Sequence, residues 1–401
     1  RATLLTGQYP FRHGWVNHWD VPRWGAGCHF DPQHNVTFAR QLKSVGYSTC
    51  IVGKWQINDF RVQPQILREH GFDFWCMWSG WETGNPPSGE RYWDPFVVTS
   101  EGFRGTKHGE FGPDVYNAYL LDFIEQHRDE PFMAYYPMAL THGPLVATPH
   151  EPDAKSTMDK HLAMVRYTDY LIGRLTAKLD ELHLREKTVL VFTTDNGTSG
   201  GIEGHMAGRV VDGGKAKLTE NGPRQPFIVS CPGSIPSGTI TDCLTDFTDL
   251  MPTFCDLAGA PLPTDQTMDG HSLARVFFGE EKDGPREWIM AMGFGPARLD
   301  EAGVRPVKDF TERVIRNKQF KIHVNDQREV IAMFDLVNDP AENTNLLESD
   351  QPAHLVALQQ LTTVLASFPV QDGRPRYEAL PPQPWDMKPP VQNNRSGRRQ
   401  N

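Results

Sequence analysis

Five consecutive residues, Val189-Leu190-Val191-Phe192-Thr193, run without a break into Thr194-Asp195-Asn196-Gly197. A glycine-rich loop follows and leads to a cation, Lys215. A short apolar run bounded by turn residues is the pattern of a strand covered on both faces, which is a feature of α/β sheets. In open sheets of that kind, ligands collect beyond the carboxyl ends of the strands. The Asp195 and Asn196 oxygens suit a hard divalent cation, calcium or magnesium, better than zinc. A metal and a lysine at one mouth point to an anionic substrate. Asp-Asn-Gly is also ordinary turn chemistry, so this stretch by itself leaves a plain turn open.

The rest of the chain repeats the pattern. Thr37 is placed to cap a helix over 38–45 that ends at Gly46. A strand over 48–52 breaks into Gly53-Lys54-Trp55-Gln56. A helix over 114–127 carries Leu120, Phe123 and Ile124 on one face. A strand-like run over 131–140 then delivers Thr141-His142-Gly143-Pro144. A longer helix over 159–184 leads to the Val189 strand, and a strand over 226–230 and a helix over 248–257 follow. This alternation predicts an α/β architecture with a largely parallel or mixed central sheet between helices.

Beyond 279–285 the segments shorten to strands over 312–315, 320–324 and 330–334, with a closing helix over 352–366. The reading is therefore an α/β domain over 1–280 that carries the candidate site, a C-terminal α+β subdomain with antiparallel strands over 281–370, and a flexible tail over 371–401. The stretch 72–113, rich in glycine, proline and tryptophan, reads as a long loop. Its Trp75, Trp78, Trp81 and Trp93, with Trp15, Trp19 and Trp24, fit either a carbohydrate surface or ordinary packing under loops.

The formal net charge of −10 argues against general nucleic-acid binding. It leaves room for an anionic small substrate, because local cations can govern a pocket in an acidic protein. The six cysteines form no Cys-x-x-Cys pair, which leaves buried thiols or one or two disulfides. No apolar run approaches a bilayer span. Gly208 to Lys215 is no phosphate loop: its glycine spacing is one residue too long and Ala216 stands where serine or threonine belongs.

Seven segments, in order, resemble the type I sulfatases of the alkaline-phosphatase-like superfamily. Arg1 to Pro10 is similar to the second part of the family's active-site signature, Cys/Ser-x-Pro-Ser-Arg followed by x-x-Leu-Leu-Thr-Gly. Gly53-Lys54-Trp55 resembles Gly-Lys-Trp-His, and His142 with Pro144 resembles His-x-Pro. Thr194-Asp195-Asn196-Gly197 is similar to the second metal motif, and Gly213-Gly214-Lys215 with Glu220, Gly222, Arg224 and Pro226 to the Gly-Gly-Lys…Glu-Gly-Gly-x-Arg-x-Pro block. Asp269 to Leu273 and Phe334 to Asn343 resemble later family segments.

The resemblance implies hydrolysis of a sulfate ester of a carbohydrate or aryl alcohol. A formylglycine would attack sulfur and a divalent metal, calcium before magnesium, would activate it. It implies Asp195 and Asn196 as metal ligands, Lys54 and Lys215 on the sulfate oxygens, and His142 on the sulfate or the leaving oxygen. Arg1 would stand beside the formylglycine. The nucleophile and a first pair of metal-binding aspartates would precede Arg1, so residues 1–401 alone are expected to be a fragment, inactive and a poor metal binder.

Gln56 replaces a histidine of the family, keeping a hydrogen bond to substrate or nucleophile but unable to take a proton. Asn221 replaces a glycine, which its tolerance of unusual backbone angles permits. A maturing enzyme that makes formylglycine is the implied partner, and the periplasm or the medium the implied address. A phosphoester or phosphonate hydrolase, or a non-catalytic binder of sulfated glycans, are the alternatives.

Overall fold

The computed structural model describes residues 1–17, 27–80, 90–300 and 303–388. At its centre lies β1 (Ser48–Lys54), whose Thr49 to Gly53 are all buried. β2 (Phe74–Trp78) runs parallel to it on one side, and β3 (Phe96–Thr99) and β4 (Arg104–Thr106) continue the sheet antiparallel beyond β2. β5 (Phe132–Tyr135) lies parallel to β1 on the other side. Among the described residues this sheet has the order β4-β3-β2-β1-β5 and is mixed, with helices on both faces.

Alternation along β1 feeds two cores. Ile51, with Trp75 and Met77 of β2, packs against Phe38 and Leu42 of helix Phe38–Ser44 and Met251 and Cys255 of helix Leu250–Ala258. Cys50 and Val52 face Leu120, Phe123 and Ile124 of helix Gly112–Gln126, and Met164 and Leu171 of helix Thr157–Glu181. Thr37 accepts from the Arg40 amide at 3.4 Å and so caps its helix as its position predicts. Ser156 and Asp159 form a capping box that fixes the start of the 157–181 helix.

The segment 72–113 is not one loop. The run Phe74-Trp75-Cys76-Met77-Trp78 has strong strand preference, and its flanking glycines and prolines hide it. Trp75 and Trp78 are core residues and Trp15 is buried, whereas Trp93 is 43% exposed. Trp19, Trp24 and Trp81 lie outside the described residues. None of the six cysteines is in a disulfide.

β6 (Leu190–Thr193) corrects the reading of a strand covered on both faces. All four residues are half-buried. Beyond it, β7 (Glu203–Met206) and β8 (Arg209–Asp212) form a hairpin that turns at Ala207-Gly208, with φ values of 49° and 76°. β9 (Phe227–Ser230) pairs antiparallel with β6, and among the described residues no pairing joins this two-stranded unit to the central sheet. Burial depends on what covers a strand's faces, and a run of apolar letters carries no record of that.

β10 (Ile289–Met292) opens the C-terminal part and a hairpin of β11 (Ala297–Asp300) and β12 (Gly303–Pro306) follows. β13 (Arg313–Arg316), β14 (Phe320–Val324) and β15 (Val330–Asp335) then form an antiparallel sheet in the order β10-β13-β14-β15. Helix Pro352–Ser367 packs Ala357, Leu361 and Leu365 onto Ile315, Ile322 and Met333.

The expected flexible tail is a packed strap as far as it is described. Asp372 is paired with the fully buried Arg313 at 2.7 Å. The Glu378 amide donates to Asp31 at 2.7 Å and the Trp385 indole to Asp59 at 3.0 Å. Its anchors are single acidic and aromatic side chains spaced without period, so pattern reading misses them. Residues 389–401 lie outside the described residues. Among the described residues, no helix is long and apolar enough to cross a membrane.

Candidate active site

Lys54 is the last residue of β1. Gly53 before it has φ 109°, and a Cβ there would lie 2.4 Å from the Pro137 carbonyl oxygen. That close approach lets the Lys54 amide donate to Pro137 O at 2.9 Å, which draws the segment after β5 across the end of β1. The same segment carries His142. Tyr92, buried in the core, donates its hydroxyl to Ala139 O at 2.8 Å and also contacts the His142 carbonyl, fixing this stretch from behind. The His142 Nδ1 lies 2.7 Å from Gly143 O. A carbonyl only accepts, so Nδ1 holds the proton and Nε2 carries the lone pair.

Arg1 donates through Nη1 to the carbonyl of Trp55, a side chain with no exposed surface that donates to Asn58 at 2.9 Å. Gln56 follows with a left-handed φ of 58° and is half-buried. Lys54 and Gln56 thus sit at one strand end, and Arg1, ahead of helix Ala2–Thr6, is hydrogen-bonded to it.

Asp195, exposed, and Asn196, half-buried, lie in the turn after β6. This turn is sewn to the loop of Lys215: the Gly197 amide donates to Gly222 O at 2.8 Å and the Lys215 amide to Thr198 O at 3.0 Å. A Cβ on Gly214 would lie 2.5 Å from the Asn221 Oδ1, so only glycine fits. Asn221 accepts from Thr219 at 2.6 Å and donates to Asp212 O at 2.8 Å. Its φ is not in the left-handed region. Asn221 therefore closes the loop with its side chain, and the expected tolerance of unusual backbone angles is not what it supplies.

The charges of these elements act on one another. Burial lowers the Lys54 ammonium to about 6; Arg1, Arg91 and Lys215 add to the shift and Asp195 opposes it. His142 is lowered to about 4, first by burial and further by Lys54, Arg91 and Lys215, against the Gly143 carbonyl. The Arg1 guanidinium is also lowered by burial, with Tyr135 and Asp195 opposing. The structure therefore brings Arg1, Lys54, His142, Asp195 and Lys215 into one electrostatic neighbourhood, with Asn196 next to Asp195 in the chain and Gln56 two residues after Lys54.

Arg91 is the member that sequence reading misses. It is 1% exposed, its guanidinium lies 4.4 Å from the centre of the Trp78 ring, and it acts on Arg1, Lys54 and His142. In the sequence it is one arginine in a Gly/Pro-rich stretch, where a solvated cation is the ordinary reading. Only the nearby aromatics Trp78 and Tyr92 hint at it.

Asp195 and Asn196 offer hard oxygen donors, the right type for calcium or magnesium. The number is short: two side chains, where calcium takes about six to eight oxygens. No group of three or more His, Cys, Asp or Glu side chains able to hold a metal occurs among the described residues. These two residues fit part of a metal shell, and further oxygens would be needed to complete it.

Residues 1–260 match the family model described as Sulfatase, and residues 214–368 match one described as N-sulphoglucosamine sulphohydrolase, C-terminal. The chain belongs to the sulfatase family. Among similar proteins, the N-acetylgalactosamine-6-sulfatase of Canis lupus familiaris is 32% identical over 306 residues, covering 70% of this chain and 56% of that protein. The chain thus spans about half the length of such relatives. Arylsulfatase A of Homo sapiens is 29% identical over 423 residues, covering 92% and 78%.

Among solved structures, Ps i-CgsB in complex with k-i-k-neocarrahexaose superposes with a TM-score of 0.70 at 21% identity, over 94% of this chain and 83% of that one. Phosphonate monoester hydrolase SpPMH from Silicibacter pomeroyi superposes with a TM-score of 0.57 at 19% identity, over 91% and 84%. These likenesses establish the sulfatase-family fold, α/β with a mixed central sheet and a C-terminal sheet.

Proposed function

We propose that this sulfatase-family chain supplies the anion-binding part of a site that hydrolyses a sulfate ester. The observation that carries the reading is a linked set of charges: Lys54 feels Arg1, Lys215 and Asp195, and a neutral His142 feels Lys54 and Lys215. In the empty site burial and the neighbouring cations disfavour the charged form of Lys54, and a bound anion favours it again.

Lys54 and Lys215 bind sulfate oxygens. His142 spends its Nδ1 proton on Gly143 and turns Nε2 to the ester. Sulfate offsets the repulsion from Lys54, Arg91 and Lys215 that keeps Nε2 unprotonated. Nε2 then takes a proton from solvent and either hydrogen-bonds the sulfate with it or passes it to the leaving oxygen. Arg1 holds its place beside the nucleophile, a formylglycine in this reading, and Gln56 hydrogen-bonds there without acting as a base. Asp195 and Asn196 would hold a divalent cation, calcium before magnesium, together with further oxygens. Such an ion supplies positive charge to the nucleophile and the sulfate.

The names of the relatives, N-acetylgalactosamine-6-sulfatase and arylsulfatase A, support a sulfated carbohydrate or aryl sulfate as substrate. A maturing enzyme and an exported location belong to the same reading. The positive charge around Asp195, with the likeness to a phosphonate monoester hydrolase, favours one second reading, a phosphate or phosphonate ester.

Hydrolysis of nitrophenyl sulfate and nitrophenyl phosphate by the full-length protein separates the two. A preference for sulfate is expected, and a clear preference for phosphate overturns the first reading.

A further inference from the structure

Glu220 and the family segment Phe334 to Asn343 supply no side chain to the site as described above. They meet in a buried knot of charge. Lys321 of β14 has no exposed side-chain surface, and its Nζ lies 3.2 Å from Glu220 Oε1 and 3.1 Å from Glu342 Oε1. Arg316 of β13 reaches Glu220 Oε2 at 2.6 Å, and His323 reaches Glu342 Oε2 at 2.9 Å. Glu342 also accepts the Glu220 backbone amide at 2.6 Å.

Glu342 has a left-handed φ of 59°. That conformation is unfavourable for a side chain of its kind and persists only where surroundings impose it. Here Asp339 accepts the Asn343 and Thr344 amides at 2.7 Å each and holds the turn.

Glu220 belongs to the loop that carries Lys215. The loop's hydrogen bonds run onward to the metal-type turn, from Gly197 N to Gly222 O and from Lys215 N to Thr198 O. Removing one partner from a buried charge cluster leaves uncompensated charge and is strongly unfavourable. The C-terminal sheet therefore grips the loop at Glu220 more firmly than the loop's exposed contacts could.

We infer that Lys321 is a positioning residue: through Glu220 and Glu342 it fixes the 213–222 loop so that Lys215 and Asp195-Asn196 face Lys54. The role rests on the reading that Lys215 binds sulfate. It assigns the C-terminal sheet a part in the site through its contacts with the loop.

The test uses Lys321→Met, Lys321→Arg, Glu220→Gln and Lys215→Ala, with two measurements on each: amide hydrogen exchange and affinity for inorganic sulfate. Lys321→Met and Glu220→Gln are expected to speed exchange at Gly197, Gly213, Lys215 and Gly222 at least tenfold. Amides of helix Gly112–Gln126 should keep wild-type rates. Sulfate affinity should fall about tenfold, since small misplacements of a charged group are costly, and Lys321→Arg should recover part of it. Glu220→Gln keeps the side-chain shape and carries the test alone if Lys321→Met does not fold.

Folded variants with unchanged loop exchange and unchanged sulfate affinity overturn the positioning role. If instead Lys215→Ala leaves sulfate affinity intact while Lys321→Met loosens the loop, the grip stands and the sulfate reading of Lys215 falls.

Discussion

Replacing Lys54 by methionine should make the protein a poorer sulfate binder and, toward acid pH, a more stable one. In the folded, anion-free protein Lys54 titrates at about 6, against 10.5 for an ordinary lysine. Between those values the unfolded chain holds a proton that the native chain has released, so stability rises with pH across that window. One pH unit is worth about 1.4 kcal/mol. From about pH 6.5 to about pH 8 the full effect is roughly 2 kcal/mol, and the residual solvent access of a half-buried side chain reduces it to about 1 kcal/mol. Methionine keeps the stem and removes the titration. Urea unfolding at the two pH values should show the wild type gaining about 1 kcal/mol over Lys54→Met as pH rises. Added inorganic sulfate should stabilise the wild type by mass action and the variant less. Parallel stability curves with an equal sulfate response in both proteins would refute the reasoning.

Three further outcomes follow from the same geometry. The His142 ring should stay neutral, with its proton on Nδ1, from about pH 5 upward; ring-nitrogen NMR shifts read this directly, and an imidazolium at about pH 6 in the anion-free protein contradicts it. Asp372→Ala leaves the buried Arg313 without its partner and should cost about 3–5 kcal/mol. Calorimetry should show a marked loss in Tm, whereas a flexible tail would show none. Gly53→Ala places a Cβ against the Pro137 carbonyl at an unfavourable φ, and should lose about 3 kcal/mol or more in urea unfolding; a wild-type midpoint would remove Gly53's role in bringing Lys54 to the 137–142 segment.

What the sequence made legible was local. The 38–44 helix could be found because Thr37 and Gly46 mark its ends, and β13, β14 and β15 because short strand-like runs are separated by turn residues. The strand ends bearing Lys54 and Asp195 showed the same way, as apolar letters breaking into polar ones.

What stayed hidden depends on partners far along the chain. β2 was masked by flanking glycines and prolines, and β6 reads as fully buried because its letters do not record its neighbours. Arg91 and Lys321 look like solvated cations until Trp78, Glu220 and Glu342 are placed beside them. The 371–388 strap is held by isolated anchors, and isolated anchors have no period to detect.

The central claim is that Lys54, Lys215 and His142 close on one tetrahedral anion. Selenate has the shape and charge of sulfate and scatters anomalously, so a crystal of the protein soaked in selenate tests the claim most directly. The account predicts one strong anomalous peak within hydrogen-bond reach of Lys54 Nζ, Lys215 Nζ and His142 Nε2, weakened in Lys215→Ala. Selenate bound elsewhere, with these three side chains turned away from one another, would contradict it.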